Sequence, residues 1–305
     1  MKTRKPKKKT ITILAVVCSL MVIIVFVSVN LKSERRFPLT AAIVDQLAEH
    51  FPNENFRINI TTMLTNEGFS LTYYNSSELT IEFLKELPRK NYGIIILRVH
   101  FALRNDSSTV DMFTSEKYRE DAYINELHDG LLSIGKYNIE GISNESYFAI
   151  TSEFIKKEMK GVFPNSIIIA MGCWSIRPFA DHLARAFLEK NALAYIGWSN
   201  IVLLDDTDYE VTKLLKTLLT QNKTIAQAIN ETKTYEYIAE GGIKIPTRLS
   251  YLPYEAGNLV LQKLIVERKT SEKLASNIII HTIALKSKSK KPNINLIIED
   301  YSTKL

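Results

Sequence analysis

Three short apolar runs constrain this chain more than any other feature: Gly93–Val99 (GIIILRV), Ser166–Met171 (SIIIAM) and Ala192–Trp198 (ALAYIGW). Each is nearly continuous and bounded by turn-forming residues, the pattern of strands covered on both faces of a parallel sheet. Ala41–Asp45 and Ser70–Tyr74 predict two further strands. Helical periodicity lies between and after them: Ser152–Lys160, with Thr151 or Ser152 as N-cap and Gly161 as a stop; Phe179–Lys190, whose Phe179, Leu183, Ala186 and Phe187 share one face; Val211–Leu219; and Ile225–Ile238. Such alternation predicts an α/β sandwich, a mostly parallel sheet with helices on both faces, over about residues 39–241. Arg104–Ser146 is polar and poorly periodic and reads as a long insertion after one strand. Residues 242–305 read as a C-terminal extension ending in a lysine-rich, solvated run (Lys286, Lys288, Lys290, Lys291). The Gly241-Gly242 pair lacks the spacing of a phosphate-cradling loop.

The first residues carry a different signal. Ile11–Val29 is free of charge for nineteen positions, long enough to cross a hydrocarbon core as a helix. A basic tail (residues 1–10) precedes it, so a transmembrane anchor over residues 11–31 is expected to leave the N-terminus in the cytoplasm and the bulk of the chain outside. A cleaved signal peptide is the rival reading, but VFVSVN offers no small-residue cleavage site. The formal charge of +6 equals the six basic residues before Thr10. The exported part is therefore balanced, and no nucleic-acid partner is expected. Six N-x-S/T sequons begin at Asn59, Asn75, Asn105, Asn144, Asn222 and Asn230, which an exported domain permits but does not require.

Of the two cysteines, Cys18 lies in the anchor, leaving Cys173 alone in the remainder. It is buried and inert, linked to another chain, or reactive. A CxxC metal site is impossible, and neither a metal nor an organic cofactor is expected. Cys173 follows the strand Ser166–Met171 after one glycine, and His100 directly follows Gly93–Val99. If those strands are parallel neighbours, their carboxyl ends bring the two side chains to the edge where open α/β sheets bind ligands. There His100 can take the proton of a Cys173 nucleophile. Gly172 would allow a sharp turn, and a helix after Cys173 would present N–H groups to an oxyanion.

The runs YGIIILRVH, ending in His100, and IIIAMGCWS, holding Cys173, resemble the strand-histidine and strand-cysteine elements of the caspase-like (clan CD) cysteine peptidases. Downstream, Ala194–Gly197, Trp198–Asp208, Val211–Leu219 and Lys223–Ile229 are similar in order and spacing to the end of a CHAT domain. The resemblance spans about residues 93–233, leaving the insertion after His100 unmatched. It implies a three-layer caspase-like sandwich and a cysteine endopeptidase acting on a peptide or protein substrate through a His100–Cys173 dyad. It further implies an oxyanion hole from the backbone N–H groups of Phe101 and Cys173, although the family usually has glycine at the position of Phe101. Relatives that cut after basic residues carry an acid that falls on Asp208, with Asp205 and Asp206 beside it; capping of the following helix is the plainer reading of these aspartates. The alternative to a peptidase is a caspase-fold binding or sensor module that has lost activity. Trp174 and Trp198 read as core or cleft, His182 as surface, His128 as a substitute for His100, and Arg98 as the partner of a buried acid.

Overall fold

The computed structural model describes residues 37–104, 108–137, 145–238 and 242–288, the last eleven by backbone alone. Along the chain run β1 (Thr40–Asp45), α1 (Glu54–Asn66), β2 (Ser70–Tyr74), α2 (Ile81–Glu86), β3 (Ile94–Arg98), β4 (Phe101–Leu103), β5 (Val110–Lys117), α3 (Ile124–His128), β6 (Leu132–Lys136) and β7 (Ser146–Ile150). Then come α4 (Ser152–Lys157), β8 (Ile167–Ala170), α5 (His182–Glu189), β9 (Ala194–Trp198), α6 (Leu204–Thr220), α7 (Ile225–Asn230), β10 (Tyr235–Ile238), β11 (Lys244–Thr247), β12 (Leu249–Leu252) and α8 (Leu261–Lys288).

The main sheet has the order β12-β9-β8-β3-β1-β2, parallel throughout except for β12, which runs antiparallel to β9. Its strands are the apolar runs, and their two-residue period fills two separate cores. Ala42, Ile95, Leu97, Ile168 and Tyr195 meet α2, α4 and α5 through Leu84, Phe154, Ile155, Leu183 and Phe187. Ile43, Ile94, Ile96, Ile169 and Ile196 meet α1, α6 and α7 through Phe56, Ile60, Leu64, Val211, Leu214 and Ile225. A mixed α/β sandwich with a mostly parallel sheet follows.

Several expected boundaries move. The stretch read as a long insertion holds β5 and β6, which join the flanking β4 and β7 in a second, antiparallel sheet, β4-β5-β7-β6, whose β5 buries Val110–Thr114. Its alternation is obscured because β5 is buried on both faces in its first half. The helix expected over Ile225–Ile238 ends at Asn230, and Tyr235–Ile238 pairs with β11 instead. Phe179 does not join α5: it is 99% exposed with a left-handed φ of 66°, and the helix begins at His182. The compact unit extends to Ile265 rather than stopping at residue 241, because β12 completes the sheet and Leu261 and Ile265 enter its core. The residues from Val266 form a second unit, described as α8 to Lys288.

The expected anchor at residues 11–31 and the basic tail lie outside the described residues. Among the described residues, no helix is long and apolar enough to cross a membrane. Asn59, Asn75, Asn222 and Asn230 are exposed; the sequons at Asn105 and Asn144 lie outside the described residues.

Tyr195 offers a direct test of the packing. Its ring stacks on Phe187 with centroids 5.6 Å apart, and its wholly buried hydroxyl has no hydrogen-bond partner among the described residues. An unpartnered buried hydroxyl costs about 1–3 kcal/mol. Tyr195→Phe is therefore expected to raise stability by about 1 kcal/mol, seen as a higher urea midpoint at unchanged slope. A lower midpoint would mean that the hydroxyl is bonded.

Candidate functional site

β3 and β8 are parallel neighbours, with Leu97 opposite Ala170. Three residues beyond that pair stand His100 on one strand's extension and Cys173 on the other's. Both side chains line one cavity of about 620 Å³, walled also by Leu47, Phe51, Val202 and the first turn of α6. The cavity thus opens at the carboxyl edge of the parallel strands, where α/β sheets commonly take ligands.

His100 is held by its backbone. Its N–H donates to Gln46 Oε1 at 2.8 Å, and its carbonyl accepts from Phe113 N–H at 2.9 Å, extending the β4–β5 ladder by one residue. Gln46 is itself fixed, donating through Nε2 to the Thr114 carbonyl and to the Tyr137 hydroxyl. The imidazole lies against Phe113 and Tyr137, centroids 4.7 and 5.0 Å away. Among the described residues no hydrogen bond engages its ring nitrogens. Burial in this aromatic setting lowers its pKa from 6.5 to about 4, so the ring is neutral at pH 7 and a weaker base than a free imidazole.

Cys173 is half-buried, and its sulfur is bracketed by one neighbour. The thiol donates to the Val202 carbonyl at 3.5 Å, and the Val202 N–H donates back to the sulfur at 3.4 Å. No hydrogen bond joins Cys173 to His100 among the described residues. Burial pushes the thiol pKa upward, partly opposed by the Val202 N–H and by the residue's own N–H. The resting pair is a neutral imidazole and a protonated thiol.

Gly172 serves space rather than a turn. Its φ is not left-handed, but a Cβ there would overlap the Phe101 ring and come within 2.5 Å of the Val99 carbonyl oxygen. The left-handed residue is Trp174, φ 55°, fixed by its indole N–H to Asn200 Oδ1 at 2.8 Å and its backbone N–H to the Asn200 carbonyl. The helix expected directly after Cys173 is replaced by a turn, and α5 starts only at His182, so the segment following Cys173 supplies no helix N-terminus to the sulfur. Phe101 is wholly buried in the core shared with Val99 and Ile168, and its ring is absent from the cavity wall. The alternation of the β4–β5 ladder turns the Phe101 N–H away from β5. Its nitrogen would lie 3.1 Å from a Gly172 Cβ, next to Cys173.

The three aspartates separate. Asp208 is buried and lies outside the cavity wall: it accepts from Arg98 Nε at 2.9 Å and Nη2 at 3.0 Å, and from Asn53 Nδ2 at 2.9 Å. It is therefore spent on Arg98 and is not a lining acid. Asp205 and Asp206 do line the cavity, and Asp206 accepts from the Tyr237 hydroxyl at 2.6 Å. None of the three caps α6, which starts at Leu204 with Leu203 as N-cap; Asp205 and Asp206 lie in its first turn. Trp198 is fully buried, His182 is exposed, and His128 is an exposed residue beside Asp129, away from the cavity.

Gln46, Tyr137, Val202 and Tyr237 come from four separate segments and carry no motif, so no local pattern could single them out. Phe51 was missed as well, although Asn53 with Phe56, Ile60 and Leu64 spells a capped helix just after it that could have placed it. No protein-family model and no curated protein matches this chain.

Two outcomes follow from this geometry. The folded state holds His100 neutral down to about pH 4, whereas an unfolded histidine titrates near 6.5. Below pH 6.5 the unfolded chain binds more protons, so stability present above that pH drains away as pH falls toward 4, by at most about 1.4 kcal/mol per pH unit. Urea unfolding at pH 7 and pH 5 should therefore differ less in His100→Gln than in wild type; an equal difference would refute the burial. Gly172→Ala should cost about 1–3 kcal/mol, since the new Cβ meets backbone that cannot retreat; a midpoint within error of wild type would contradict the close approach.

Proposed function

We propose that this chain is a caspase-like cysteine endopeptidase tethered by residues 11–31 to the outer face of a cell membrane. The single observation that carries the reading is that His100 and Cys173 share one cavity, each three residues past a paired position on neighbouring parallel strands. On this reading His100 takes the Cys173 proton and the thiolate attacks a peptide carbonyl. The Cys173 and Phe101 N–H groups receive the oxyanion, and the imidazolium returns the proton to the departing amine. Water then releases the acyl group from sulfur. Asp205, exposed on the wall, is the acid left to meet a basic substrate side chain, with Asp206 beside it.

A second reading is favoured by the sulfur's own bonds. Its partners are the Val202 peptide groups and not His100, which suits a binding or sensor module that has kept the fold without turnover.

The two readings part on thiol-directed peptidyl probes applied to full-length protein carrying Cys18→Ser. The peptidase predicts labelling of Cys173 that falls at least about 100-fold in His100→Ala and favours basic over apolar P1 groups. Equal labelling of wild type and His100→Ala, or none in folded wild type, would leave the binding module.

A further inference from the structure

Tyr237 lies on β10, far in sequence from the cavity, yet its hydroxyl makes two bonds at the cavity's edge. It donates to Asp206 in the first turn of α6 and accepts from the Leu203 N–H at 3.2 Å. Leu203 is the N-cap residue of α6 and, being leucine, has no side chain to cap with. The Leu203 N–H belongs to the same planar peptide as the Val202 carbonyl, and in a trans peptide the two point in opposite directions. One end of this single peptide is held by Tyr237, and the other end accepts the Cys173 thiol. The plane cannot rotate toward the sulfur or away from it without breaking the bond to Tyr237.

We infer that Tyr237 is a positioning residue that locks the Val202–Leu203 peptide against Cys173 and thereby holds the thiol in its protonated, unreactive form. The hairpin β10–β11 carries the lock. Tyr235 stacks on Tyr237, centroids 6.2 Å apart and nearly parallel, and ties the same hairpin to α6 through Glu210 at 3.0 Å. The Tyr235 bond anchors the hairpin one turn further along α6; the Tyr237 bonds alone reach the peptide at the sulfur. Loosening Tyr237 frees the carbonyl and leaves the sulfur available to His100. The inference deepens the peptidase reading and takes its biological meaning from it, as a built-in restraint on that site. Its physical content concerns the thiol alone.

The test is alkylation of Cys173 by iodoacetamide in full-length protein carrying Cys18→Ser, followed by mass spectrometry at one fixed pH. Two variants cut the lock from opposite sides. Tyr237→Phe removes the hydroxyl and keeps the ring stack. Leu203→Pro removes the N–H, at a backbone of φ −75° and ψ 150° that proline adopts. Each should raise the alkylation rate on the order of 3–10-fold, the effect of one hydrogen bond. The double variant should be no faster than the faster single one, because both cut the same bond. Tyr235→Phe should stay within about twofold of wild type, since its hydroxyl faces Glu210 and Asp206 and makes no bond to the Val202–Leu203 peptide itself.

Wild-type rates in folded Tyr237→Phe and folded Leu203→Pro would overturn the lock, as would an equal rise in Tyr235→Phe. Should either cutting variant fail to fold, the other decides. Iodoacetamide needs no catalysis, so these rates stand whatever the peptidyl probes report. Failure of the peptidase reading appears there as labelling that ignores His100, and failure of the lock appears only here.

Discussion

The buried ion network of Arg98 holds the site together. Its guanidinium donates to both Asp208 oxygens, to Asp45 at 2.8 Å and to the Phe51 carbonyl at 2.9 Å. It thereby ties the carboxyl ends of β3 and β1 to the first half of α6 and to the loop before α1. Asn53 completes the joint, donating to Asp208 through Nδ2 while its side-chain Oδ1 accepts from the Phe56 N–H and caps α1. Phe51 and the first turn of α6 form two walls of the cavity, so one side chain sets the distance between them. Burial works against the arginine's charge, and the bonds to Asp208 and the charge of Asp45 more than restore it. Asp45 is itself pushed upward by burial, with Arg98 opposing. Such a network adds little net stability, but losing one partner strands a buried charge at a cost of about 3–5 kcal/mol.

The second constraint is the meeting of two sheets at His100. The residue lies two positions past the end of β3 of the parallel sheet and enters the β4–β5 ladder of the antiparallel one. Gln46 and the aromatic pair Phe113 and Tyr137 therefore reach it from outside the main sheet. This surrounds the imidazole with apolar surface, which keeps it neutral and lowers its affinity for a proton. The thiol across the cavity is kept neutral by its own burial, which outweighs the opposing Val202 N–H.

Much of the frame was legible because strands buried on both faces must be continuously apolar. Ser70–Tyr74 matched residue for residue, and the Gly93–Val99, Ser166–Met171 and Ala192–Trp198 runs contain β3, β8 and β9. The N-cap of α4 was narrowed to Thr151 or Ser152, because capping is local, and the structure uses Thr151. Phe179 misled because it sits in phase with Leu183 and Phe187, but the chain turns at Pro178 before the helix begins. Tyr235–Ile238 misled because its pairing with Lys244–Thr247 is not visible in its own periodicity.

By itself the sequence determined that buried parallel strands exist and that His100 and Cys173 closely follow two of them. Those are consequences of residue hydrophobicity and order along the chain. It did not determine what each polar group would spend itself on. Asp205, Asp206 and Asp208 are alike in type and the resemblance favours Asp208, yet helix rotation turns Asp208 inward to Arg98 and leaves the other two on the cavity. The partner of the Cys173 sulfur was undecidable for the same reason. Val202 and Tyr237 reach the sulfur's neighbourhood only when α6 and the β10–β11 hairpin have docked. Hydrogen bonds are satisfied by whatever lies within about 3 Å, and only the tertiary structure decides what that is.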